Sequence, residues 1–217
     1  MKHSDLDMKY NTDWSQLYHT DMGRYVALLM ETPRRRYHNI IHVQRLYRHA
    51  ARLKVPYDVN LDCAILWHDA IYDSEPEKEY RSAEAMREIA KVRPEWFAGV
   101  DISEAAALIV NTIEHVYTPH VNPWMIRLDT VELSDPDMRY DNFWSLMAEA
   151  RELYGIDNLT AAQGTIIFME HFRETLLINA ERDFDFALEW SQAAEGCTDV
   201  ITMAKVTTDI YNRVNNV

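Results

Sequence analysis

The sequence predicts an all-α, single-domain helical bundle. Glycine is scarce, with 5 in 217 residues, while Ala, Leu, Glu, Arg and Met are plentiful. Apolar positions recur at three- and four-residue spacing, and no segment alternates convincingly with period two. About nine or ten helices with short connections are expected, and essentially no sheet.

Taken in order, Asp13 can cap a first helix that runs to about Met30 and stops at Thr32-Pro33. A second helix spans about His38 to Leu53, with Val43, Leu46, Tyr47, Ala50 and Leu53 as its apolar stripe. Asp58 or Asn60 can cap the third, in which Leu61, Ala64, Ile65 and His68 share one face. The turn Tyr72-Asp73-Ser74-Glu75-Pro76 leads into a charged amphipathic helix from about Glu77 to Val92. Ser103 to His115 reads as a helix, and Trp124 to Leu133 as a shorter one. Asp135-Pro136 is an N-cap followed by proline at the first helical position, opening a helix that Gly155 ends. Thr160 to Asn179, Phe184 to Ala194 and Thr198 to Tyr211 complete the set. Trp67, Tyr72, Trp124, Phe143 and Trp144 read as core.

One well-cored domain suits this length, so residues 1–217 are expected to form a single unit. Its core would cover about residues 34–135, with the helices of 136–217 packed on it. The formal net charge of −13 argues against a nucleic-acid polymer as partner, because phosphate backbones are bound by clustered Lys and Arg. No membrane-length apolar run and no secretory h-region occur. Cys63 and Cys197 supply neither a disulfide framework nor zinc-knuckle spacing, so a reduced, cytoplasmic setting is expected.

The chemistry lies in Arg36-Tyr37-His38-Asn39-Ile40-Ile41-His42-Val43 and Leu66-Trp67-His68-Asp69. A buried imidazole or carboxylate is costly unless it is hydrogen-bonded, paired or metal-bound. His38 and His42 are one turn apart if helical, and His68-Asp69 ends an apolar face. A divalent ion is the simplest common cause, and this donor mixture suits Zn, Mn, Fe, Ni or Co better than Ca. Asp129, between apolar Ile126 and Leu133, is the best further ligand.

These segments carry a resemblance. Arg35 to His42 matches Arg-x-Tyr-His-Asn-x-x-His, and Ala64 to Tyr72 matches an apolar run ending His-Asp-x-x-Tyr. Glu79-Tyr80-Arg81-Ser82-Ala83 and Thr112-Ile113-Glu114-His115 follow in the same order. Over about residues 14–180 the chain resembles the HD superfamily of metal-dependent phosphohydrolases, and the Tyr-His-Asn-x-x-His spelling resembles the cyclic-nucleotide phosphodiesterases. The resemblance implies His42, His68, Asp69 and Asp129 as metal ligands and His38 as the general acid. Asp69 would also orient the attacking water, and Arg35 would face the substrate. Where the family's distal segment reads Asp-x-Asp-Leu, this chain has Asp129-Thr130-Val131-Glu132-Leu133, with Glu132 as a substitute ligand.

The expected activity is hydrolysis of a phosphomonoester or phosphodiester bond in a small molecule, with a nucleotide the best guess. The expected cofactor is a divalent ion: Mn, Zn, Ni, Co, Fe or Mg. His115, Glu79 and Asp73 are candidates for a second ion or for substrate; His120 shares the interval of His115. A non-catalytic metal- or nucleotide-binding module and a dinuclear iron oxygenase are the alternatives. The protein is expected to be a monomer or homodimer.

Overall fold

Nine α-helices joined by short loops and 3-10 turns make up the described residues, 14–215, of the computed structural model; no strand occurs among them. Six of the helices begin at a side chain that accepts a backbone N–H of the first turn: Thr20, Asn39, Asp58, Asp101, Asp135 and Asp157. No helix among the described residues is long and apolar enough to cross a membrane.

The chain divides into two compact units, passing from the first to the second after Ile113. The first unit holds residues 14–32 and 38–113 and contains α1 (Asp21–Met30), α2 (Ile40–Arg52), α3 (Val59–Trp67), α4 (Lys78–Val92) and α5 (Ile102–Val110). Its centre is α3. Every residue from Leu61 to Trp67 is buried, so this helix lacks the one-sided stripe expected of it and is covered all round. Tyr25 and Phe97 pack their rings against Trp67. Asp62 sits inside this apolar surface. Burial pushes its carboxyl up to about 6, opposed by the hydrogen bonds it accepts from Tyr47, the Leu17 N–H and Tyr57.

The second unit holds residues 33–37 and 114–215 and contains α6 (Trp124–Thr130), α7 (Pro136–Tyr154), α8 (Asn158–Arg182) and α9 (Ala187–Asn215). The short segment Pro33–Tyr37 belongs here because carboxylates hold it. Arg36 donates Nε and Nη2 to Glu152 at 2.9 and 2.7 Å, and the Tyr37 N–H donates to Glu149 at 2.9 Å. The Tyr37 hydroxyl and the Asn142 amide both donate to Glu132, each at 3.1 Å. Inside the same unit, Arg127 forms a buried fork on Asp183, which also accepts from Trp190 Nε1.

Several boundaries differ from those predicted. Asp13 lies outside the described residues, and Thr20 caps α1. The helices expected over Phe184–Ala194 and Thr198–Tyr211 are mostly one, α9, preceded by a 3-10 turn at Phe184–Phe186. Gly196 does not break α9. It is required there because a Cβ would stand 1.9 Å from the Leu133 carbonyl oxygen. Trp144 is about half exposed, so it is not a core residue, whereas Trp67 and Phe143 are.

Candidate metal centre

The centre is built where α2 begins and where α3 ends. His42 stands in the first turn of α2, and the capping Asn39 fixes the start of that turn by accepting the Ile41 N–H at 2.9 Å. His68 is the C-cap of α3, and Asp69 follows it. Nδ1 of His68 lies 2.9 Å from the Ile65 carbonyl, an acceptor only, so Nδ1 carries a hydrogen and Nε2 is the nitrogen turned toward Asp69. That arrangement orients a ligand imidazole. Nε2 of His68 lies 2.9 Å from Asp69 Oδ2, and Nε2 of His42 lies 3.9 Å from the same oxygen.

His42, His68 and Asp69 are all buried, and each offers a ligand atom within 4.8 Å of the others. Two imidazoles and a carboxylate at that separation fit a divalent transition ion, in donor chemistry and in spacing. Burial acts to raise the Asp69 carboxyl, but His68, His38 and His42 outweigh it and hold the group well below the usual carboxylate range. Asp69 is therefore a buried anion among three imidazoles.

His38 is not on α2, which was expected to begin at about His38 and begins at Ile40. Asn39 ends the non-helical segment, and His38 precedes it. Its ring nevertheless reaches the cluster, with its centroid 6.0 Å from that of His42. It stacks on Tyr72 at 3.9 Å and 18°.

The remaining candidates have other surroundings. Asp73 accepts a two-pronged salt bridge from Arg81 at 2.7 and 2.8 Å, whose hydrogen bonds pull its carboxyl down to about 2. Glu79 is partly exposed in the first turn of α4. Arg35 is buried rather than part of a solvated arginine run, unlike its neighbours Arg34 and Arg36. In the second unit, Asp129 Oδ2 lies 2.9 Å from Nε2 of His115, and Glu132 is buried in the network around Tyr37. Cys63 and Cys197 are buried thiols pushed up by burial, Cys197 to about 12, which suits neither nucleophile nor ligand.

His115 departs furthest from expectation. Helix α5 ends at Val110, and His115 adopts the left-handed conformation with φ +51°. Asn179 of α8 holds it there, donating Nδ2 to the His115 carbonyl at 2.6 Å and accepting the Tyr117 N–H at 2.8 Å. Such strain persists only where its surroundings enforce it. Nothing in the order of residues singled out Asn179. Asp62 did carry a signal, as a carboxylate inside the apolar run from Leu61 to Trp67.

In comparisons with family models, with curated proteins and with solved structures, nothing matches this chain.

Proposed function

We propose that this protein is an HD-type phosphohydrolase that uses a divalent metal ion to cleave a phosphate ester of a small molecule, a nucleotide being the best candidate. One observation carries the reading: His42, His68 and Asp69 bury two imidazoles and a carboxylate with ligand atoms within 4.8 Å of one another. Burying that set without a common partner is expensive. An ion held by those three residues supplies acidified water and a counter-charge for the phosphoryl oxygens.

The chain's own groups account for the rest. Asp69, kept ionised by the imidazoles around it, accepts a hydrogen bond from the attacking water and orients it toward phosphorus. His38, whose ring sits beside that of His42, donates its proton to the departing alkoxide. His38 is half-buried.

The test begins with protein stripped by a chelator and reloaded separately with Mn, Zn, Ni, Co, Fe or Mg. Phosphate release is then measured from nucleoside mono-, di- and triphosphates, and ring opening from cyclic nucleotides. His38→Ala is expected to lose about 10²–10⁴-fold on an alkyl ester and far less on a nitrophenyl ester, which departs without protonation. Equal losses on both esters would contradict the acid role. Absence of turnover with every metal and substrate would contradict the hydrolase reading.

A further inference from the structure

We propose that Tyr72 is a positioning residue for His38, a plate held by α4 that fixes the imidazole in the orientation needed to protonate the leaving group. The proposal rests on the phosphohydrolase reading above and adds to it a residue and a structural device.

His38 needs such a device. It precedes the first residue of α2, so helical geometry does not set its backbone, and its ring has to be oriented from outside. Tyr72 supplies a near-parallel face at 3.9 Å, with 18° between the planes. The ammonium of Lys78 lies 4.0 Å from the centre of the same phenol ring. With one face covered at stacking distance, the cation occupies the other. The phenol is thus the middle layer of a three-part stack.

The loop that carries the plate is fastened by α4. Ser82, fully buried, accepts the Ile71 N–H at 3.0 Å and donates its hydroxyl to the Ile71 carbonyl at 3.3 Å. That pins the residue before Tyr72. Arg81 forks onto Asp73 at 2.7 and 2.8 Å and pins the residue after it. Lys78, Arg81 and Ser82, within four consecutive positions and one beyond on a single helix, therefore hold three consecutive residues of the preceding loop. A loop tip made only to connect α3 with α4 needs no such fastening. A loop that must present one ring to a catalytic imidazole does.

The test compares Tyr72→Leu, Tyr72→Phe and the parent, all loaded with Mn²⁺. Tyr72→Leu keeps apolar bulk but removes the plate, and is expected to lose about 100-fold on an alkyl phosphate ester, the scale of a 1 Å misplacement. The loss on a nitrophenyl ester is expected to be several-fold at most, and Tyr72→Phe is expected to restore both rates. Proton NMR of the metal-free protein gives a second readout. The His38 ring protons are shifted upfield by the phenol in the parent and in Tyr72→Phe, and return to ordinary positions in Tyr72→Leu. Arg81→Ala, at a partly exposed position where folding is not at stake, should give the same split between esters more weakly. If the parent turns over both esters while Tyr72→Leu and Arg81→Ala show equal losses on the two, the positioning role is overturned and the hydrolase reading stands. If the parent turns over no ester, the hydrolase reading falls, and the role assigned to Tyr72 falls with it.

Discussion

Asp69→Ala is expected to remove ion binding and hydrolysis together. Asp69 is the only anion of the buried trio, and its Oδ2 lies 2.9 Å from His68 and 3.9 Å from His42. Losing a partner outside a ligand set costs roughly 10–100-fold in metal affinity, and losing a charged ligand should exceed that. An ion present at a hundred times its dissociation constant stabilises the folded parent by about 2.7 kcal/mol. For a chain of this size that corresponds to a rise in Tm of roughly 5–10 °C. Calorimetric titration with Mn²⁺ and melting curves with and without it measure both effects. The variant should show no Mn²⁺-dependent rise. An affinity within threefold of the parent would contradict the assignment of Asp69.

The largest effect on stability is expected away from this centre. Asp183→Ala strands the guanidinium of Arg127, which is buried, donates Nε to Asp183 at 2.7 Å and lies over the rings of Trp124 and Phe186. It also leaves Trp190 Nε1 without the acceptor it meets at 3.0 Å. Breaking a buried pair by removing one partner costs about 3–5 kcal/mol, because an uncompensated charge stays buried. A fall in Tm on the order of 10 °C is expected. Asp183→Asn, which still accepts hydrogen bonds, should lose less. Urea unfolding checks the free energy, and a cost below about 1 kcal/mol would contradict the account. Mn²⁺ affinity of the first unit's cluster, measured well below the transition, should be retained.

Much of this structure could be read from local chemistry. The caps at Asp58 and Asp135 and the stop at Gly155 are one-residue signals with a direct physical cause, and the helices begin and end there. Three of the residues singled out in the sequence come together, because His42 stands in the first turn of one helix and His68-Asp69 closes another. The helix start expected at His38 is two residues early: Asn39 caps α2 and Ile40 is its first residue, which leaves His38 outside the helix.

Other features depend on tertiary contacts that no local pattern encodes. The left-handed turn at His115 carries no glycine to announce it, and it exists because Asn179, 64 residues later, clamps its carbonyl. The glycine at 196, inside α9, reflects the close approach of the Leu133 carbonyl, which leaves no room for a Cβ. The assignment of Pro33–Tyr37 to the second unit follows from Glu132, Glu149 and Glu152, none of which stands out in sequence from other helical acids.

Anomalous diffraction from crystals grown with excess manganese tests the central claim most directly. A single strong peak is expected in the first unit, at coordinating distance from Nε2 of His68, a ring nitrogen of His42 and a carboxylate oxygen of Asp69 together. A peak elsewhere, or these three side chains without a shared ion at saturating manganese, would contradict it.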